Sequence, residues 1–227
     1  MRRILKLLVF GLVVIVALGV AGWYFFLKTD PEPRAAIKVT PTVAAPVGAL
    51  DGTWTVKPGS TESFVGYRVT EKLFANISNS EATGRTNNVT ATMKMGGTTI
   101  NDVTVTADLR DLKSDSGLRD GRIKSEGLQS DTFPEAKFAL TSPIALRAVP
   151  AVGETVTTQA TGDFTLHGVT RSVTISLQGR FDGKQVQVVG NLPVVFGDYG
   201  ITAPTAPAVA SVDDHGEMEL QLFFTKS

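Results

Sequence analysis

The feature that most constrains this chain is an alternation of apolar and polar residues with a period near two, which recurs from Asp51 toward the C-terminus. Successive side chains of a strand point to opposite faces, so this pattern fits half-buried strands and not helices, whose apolar positions recur every three or four residues. Over residues 103–109, Val103, Val105, Ala107 and Leu109 share one face while Thr104, Thr106 and Asp108 share the other. Val65, Tyr67 and Val69 likewise oppose Gly66 and Arg68. Val173, Ile175 and Leu177 oppose Thr174, Ser176 and Gln178, and Met218, Leu220 and Leu222 oppose Glu219 and Gln221. Each strand is thus expected to keep one wet face.

The alternation and its Gly, Asn and Asp breaks predict strands at 53–57, 62–71, 79–84, 88–95, 99–109, 136–141, 156–166, 169–181, 184–195 and 217–225. Asp182-Gly183 reads as a hairpin turn, and the short turns imply a meandering antiparallel order. Residues 114–130 lack the alternation and are expected to form a glycine-interrupted helix or long loop that caps one end. Strands with one apolar face can form two stacked sheets or one sheet closed on itself, and the pattern alone does not choose.

The first fifty residues read differently. Leu7 to Leu27 runs without a charge, and at about 1.5 Å per residue a helix of that length matches a bilayer core. Arg2, Arg3 and Lys6 precede it and Trp23 and Tyr24 lie near its far end, which predicts a cytoplasmic N-terminus and an extracytoplasmic bulk. Gly19-Val20-Ala21 also resembles a cleavage site, so the competing expectation is a removed signal peptide and a secreted domain. Pro31, Pro33, Pro41 and Pro46 among small residues suggest an extended spacer over packed structure. The expected organisation is therefore a cytoplasmic stub and transmembrane anchor at 1–28, a Pro-rich linker at 29–50 and one β domain at 51–227.

Lys plus Arg equals Asp plus Glu at 22 each, so nucleic acid is not an expected partner. No cysteine is present, which excludes disulfides and thiolate chemistry. The two histidines, His167 and His215, lie in no ligand-spaced motif, and no metal or other cofactor is expected. His167, in Leu166-His167-Gly168-Val169, is read as a locally hydrogen-bonded hairpin residue without the partners that general-base catalysis needs. His215 reads as an exposed turn residue, and Arg119 with Asp120 as a polar pair of the insert that could greet a ligand head group.

Three segments together resemble the YceI-like family, over about residues 51–225. In the first, Trp54, Ser63, Val65, Tyr67 and Val69 match a Trp strand followed by an alternating strand. In the second, Arg119, Asp120, Leu128, Asp131, Phe133, Pro134 and Phe138 follow the family's pattern before a strand. The third, ATGDFTLHGVTRSVTISL, resembles the GxLTLHGVTxxVxL hairpin with Phe164 at the first Leu position. Near the end the family usually carries an Arg-x-Asp-Phe-Gly-Ile segment, whereas this chain keeps Gly200 and Ile201 and lacks the Arg.

The resemblance implies an all-β, antiparallel, lipocalin-like barrel of about eight strands with a short helical insert, here preceded by the transmembrane helix. It implies an apolar tunnel for a long isoprenoid or quinone-like lipid and no catalytic residues. The residues expected to face that ligand are Val65, Tyr67, Val69, Val103, Val105, Leu109, Phe133, Phe138, Phe164, Leu166, Val173, Ile175 and Leu177. The expected function is an extracytoplasmic, non-enzymatic carrier, store or sensor of that lipid. The alternative is a non-catalytic cell-surface interaction module whose barrel interior is a filled core. No oligomeric state follows from the residues.

Overall fold

A computed structural model describes residues 11–19, 31–73, 79–204 and 209–227. The described residues form thirteen strands. In chain order they are β1 Gly52–Val56, β2 Phe64–Leu73, β3 Asn79–Thr86, β4 Val89–Gly96, β5 Thr99–Asp108, β6 Lys113–Ser114, β7 Glu135–Leu140 and β8 Ile144–Ala145. Then follow β9 Thr155–Leu166, β10 Val169–Phe181, β11 Gln185–Val195, β12 Val209–Val212 and β13 His215–Lys226.

These thirteen strands build a barrel of only eight staves, because several are pieces of one stave interrupted by a few residues. β13 pairs with β2 through residues 217–221 and with β1 through residues 225–226, so β1 and β2 lie end to end. Their neighbours β4 and β3 repeat the arrangement, as do β5 with β6 and β7 with β8. The circuit runs through β9, β10 and β11 back to β13, every pair antiparallel. The β1–β13 pairing closes the circuit, and eight staves enclose an interior that side chains can fill or leave open for one ligand.

Local chemistry sets the register. The β9–β10 hairpin turns on His167 and Gly168, with φ of 51° and 75°, the pair of positive values that a tight two-residue turn matched to strand twist requires. Along β10, Ile175 is 2% exposed while Thr174 and Ser176 face solvent, as the alternation predicts. The insert forms a helix over Gly117–Arg122, capped by the Ser116 side chain, and continues as a wider turn over Ile123–Gly127. One end of the barrel is floored by Trp54, whose indole N–H donates to the Leu50 carbonyl at 2.9 Å and whose ring meets Phe181 edge-on at 5.8 Å.

Two expectations need correction. Where β2 and β13 pair, their outward faces are not wet: Arg68 and Glu219 are each 3% exposed and Gln221 is buried. The cover is the segment expected to be a free spacer. Residues 31–43 lie as a strap across the outside of β3, β2, β13 and β11 and reach β10, and polar side chains of the strands satisfy the strap's backbone. Thr83 accepts from the Glu32 N–H, Glu219 from the Ala35 N–H, and Gln187 both accepts from the Lys38 N–H and donates to the Ala36 carbonyl. Arg180 donates to the Thr40 carbonyl and hydroxyl, and the Val43 N–H donates to the Asp182 carbonyl. Prolines suit such a strap because it forms no ladder of its own and takes most of these hydrogen bonds from side chains of the strands.

Beneath the strap, Arg68 and Arg85 converge on Glu219, at 3.1 and 2.8 Å, and Arg68 also reaches Glu81 at 2.8 Å. Of the expected membrane span, residues 11–19 fall within the description and are helical, with Leu12, Ile15 and Leu18 exposed. No helix among the described residues is long and apolar enough to cross a membrane, and the rest of the expected span lies outside those residues.

Candidate functional site

The inward faces of the staves do not close on one another. A cavity of about 530 Å³ lies between the barrel and its helical insert, and a second of about 130 Å³ lies deeper, toward the floor formed by Leu50, Phe181 and Phe224. Both share Val65, Ala136, Phe164 and Met218 in their walls, so they are stacked along one interior. The larger lies within the 300–1,000 Å³ typical of small-molecule sites, and the walls are overwhelmingly apolar. The larger cavity reaches the surface beside Leu118 of the insert, a leucine 69% exposed.

Eleven of the thirteen expected ligand-facing residues stand on these walls. Val65 and Phe164 line both cavities; Tyr67, Val69, Leu109 and Leu166 line the larger; and Val103, Val105, Phe138, Ile175 and Leu177 line the deeper. Phe133 and Val173 do not. Phe133 lies just ahead of β7 and packs on His167, ring centroids 4.3 Å apart, so it supports the β9–β10 turn. A Cβ added at Gly168 would come within 2.8 Å of that ring, which explains why glycine accompanies it. Val173 has the inward parity but packs against the Phe138–Phe164 core cluster without reaching the open space.

The pattern also omitted lining residues. Met93 and Met95 on β4 and Met218, Leu220 and Leu222 on β13 line the deeper cavity, and the alternation in ATMKM and in MELQL carries that signal. Leu118, Ile123 and Leu128 of the insert roof the larger cavity. They are five residues apart, and Ile123 and Leu128 close the widened turn through the Leu128 N–H to Ile123 carbonyl hydrogen bond, so no α-helical stripe announces them.

Most of the polar and charged residues gather at the insert end, although Lys137, Thr158 and Arg180 border the deeper cavity. Arg119 donates to both oxygens of Glu71, each at 3.2 Å, and is also paired with Asp115. Arg119 and Asp120 are not the pair expected, since Asp120 instead accepts from the Ser114 N–H and hydroxyl at 2.8 and 2.6 Å. The geometry therefore fixes the insert to β2 through Arg119 and to β6 through Asp120. His167 holds a ring nitrogen 3.0 Å from the Tyr199 carbonyl, a partner distant in sequence and not the local one expected. His215 is exposed and paired with Asp214, and among the described residues no cluster of His, Asp and Glu could hold a metal ion.

A family model for the YceI-like domain matches residues 54–224, most of the chain. The chain belongs to the YceI-like family. No curated protein sequence matches it. The fold of this YceI-like domain is shared by a polyisoprenoid-binding domain from Saccharophagus degradans implicated in plant cell wall breakdown, at a TM-score of 0.59 and 17% identity, covering 77% of this chain and 98% of that one. Burkholderia cenocepacia BcnA aligns at 0.54 and 18%, covering 71% and 95%, and a Campylobacter jejuni YceI protein at 0.51 and 14%, covering 63% and 84%. At these identities the likeness is one of fold. Where the family's Arg-x-Asp-Phe-Gly-Ile segment lacks its Arg here, Phe196 and Ile201 still line the larger cavity, and Arg171 reaches the same loop from β10, donating to the Asp198 carbonyl at 2.7 Å.

Proposed function

We propose that this YceI-like domain is a non-enzymatic binding protein that holds one long apolar lipid, isoprenoid or quinone-like, along the barrel interior. The observation that carries this reading is the pair of apolar cavities stacked from the insert to the floor and sharing walls at Val65, Ala136, Phe164 and Met218, which a filled core would not leave. The polyisoprenoid-binding domain of the same fold supports it. Each five-carbon isoprene unit buried contributes roughly 4 kcal/mol gross at about 0.8 kcal/mol per carbon. Association costs about 4 to 15 kcal/mol, so a chain of several units is needed for useful affinity. The uncharged run from Leu7 to Leu27, flanked by Arg2, Arg3 and Lys6, supports a membrane tether with the barrel on the extracytoplasmic side.

The reading is tested by titrating the full chain, in detergent, with prenyl alcohols of increasing length that displace a fluorescent polyene. Affinity should rise with each added unit and then level off as the cavity fills. An affinity independent of length, or no displacement at any length, would contradict it.

A further inference from the structure

The larger cavity has a polar feature that an apolar chain by itself does not use. Tyr67 projects from β2 into the cavity, and its ring lies over Gly84, its partner on β3. A Cβ added at Gly84 would stand 2.4 Å from Tyr67 Cε1, so the glycine makes room for the ring and the strand pair holds it in place. The Tyr67 hydroxyl is buried and has no hydrogen-bond partner among the described residues. Buried hydroxyls almost always have one, because stripping water from such a group without replacement is unfavourable. Burial raises the phenol's pKa; Arg119 opposes that shift and Glu71, Asp120 and Asp115 add to it, so the group keeps its proton and is a donor.

The surrounding charges say what it can donate to. Both guanidiniums at the insert end of the cavity already have a carboxylate: Arg119 has Glu71 and Asp115, and Arg122 has Glu126. An anionic head group entering here would meet Glu71 on the wall and no uncommitted cation, in an apolar setting where an unpaired charge is unfavourable. A neutral oxygen acceptor meets no such penalty.

We propose that the insert end of the cavity is a head-group subsite in which the Tyr67 hydroxyl donates a hydrogen bond to a neutral carbonyl oxygen, as of a ketone, quinone, ester or amide, and which disfavours carboxylate and phosphate heads. This rests on the lipid-binding reading above and specifies the class of lipid.

The test uses the full chain and its Tyr67→Phe variant, with a fluorescent polyene displaced by four prenyl chains of equal length: the hydrocarbon, the methyl ketone, the carboxylate and the monophosphate. The ketone should bind the wild-type chain about five- to tenfold more tightly than the hydrocarbon, and in Tyr67→Phe the ketone and the hydrocarbon should displace the polyene equally. The variant's thermal midpoint should be unchanged or higher, since no intramolecular hydrogen bond is lost. Both anionic chains should bind more weakly than the ketone. A ketone preference that survives Tyr67→Phe, a ketone no tighter than the hydrocarbon in the wild-type chain, or an anionic chain as tight as the ketone would overturn the subsite while leaving lipid binding intact. Displacement by none of the four would overturn the lipid-binding reading and the subsite with it.

Discussion

Glu217 and Glu219 lie two residues apart on the outer face of β13, and each is paired with arginine, yet the structure gives them very different weights. Glu219 is 3% exposed, and its carboxylate accepts from Arg68, itself 3% exposed, from Arg85 and from the Ala35 N–H of the strap. Glu217 is 24% exposed, and its arginine, Arg34, is 58% exposed. Glu219→Gln keeps the shape and removes the charge, leaving two arginines converging on a neutral amide beneath the strap. Removing one partner of a buried pair costs about 3 to 5 kcal/mol when the remaining charge is left without compensation, an upper bound here because Arg68 keeps Glu81 and Arg85 keeps Glu32. At about 2 to 4 °C per kcal/mol for a domain of this size, the thermal midpoint should fall by at most roughly 6 to 20 °C. Glu217→Gln should cost at most about 1 kcal/mol, since an exposed pair gains little over water. Urea and thermal denaturation of both variants decide the matter. Equal small losses, or a larger loss for Glu217→Gln, would refute the claim that the strap buries this network.

Three further outcomes follow from the same structure. Ile175→Lys places an ion on the wall of the deeper cavity and should cost several kcal/mol and abolish displacement of the polyene, whereas Thr174→Lys, on the solvent face, should stay within about 0.5 kcal/mol by denaturation. A chain beginning at residue 47 lacks the strap, so it should unfold at lower urea concentration than the full chain and lose the stability contrast between Glu219→Gln and Glu217→Gln; equal midpoints for the two chain lengths would contradict this. For Glu217, burial pushes the carboxyl up, but hydrogen bonds from Arg34 and Asn191 outweigh it and hold it below the ordinary range, and the Arg110 hydrogen bond holds Asp108 down. A depressed folded-state value contributes stability above the unfolded value and loses it as pH falls, so the urea midpoint should be level at neutral pH and decline below about pH 4.3.

The strands and their inward faces were legible because that information is local, whereas their closure into a barrel came from the family resemblance. A strand in a barrel wall exposes one face to the interior and one to water, so Val103, Val105, Ile175 and Leu177 declared their side by parity alone. Parity says nothing of depth along the barrel, which is why Val173 shares the face of Ile175 and still misses the open space. Phe133 fell outside the pattern altogether, since it precedes its strand and its contact, His167, lies more than thirty residues away. The strap was illegible for a related reason. Its anchors are backbone groups, and their partners, Thr83, Glu219, Gln187 and Arg180, are polar residues that any reading of hydropathy assigns to solvent. Tyr67 was placed among the ligand-facing residues by parity, but only the folded arrangement, in which Arg119 turns to Glu71 and Asp120 to Ser114, shows its hydroxyl to be a buried polar group without a partner among the described residues.

The central claim is that the interior of the barrel is a lipid site, and native mass spectrometry of the full chain, purified in mild detergent and paired with organic extraction of the same sample, tests it most directly. The account predicts a protein ion carrying one noncovalent adduct of long-chain apolar mass, recovered in the extract as a neutral, carbonyl-bearing lipid and lost in Ile175→Lys. Bare protein in repeated native preparations that also fails to take up added prenyl lipid, or an adduct retained unchanged in Ile175→Lys, would contradict it.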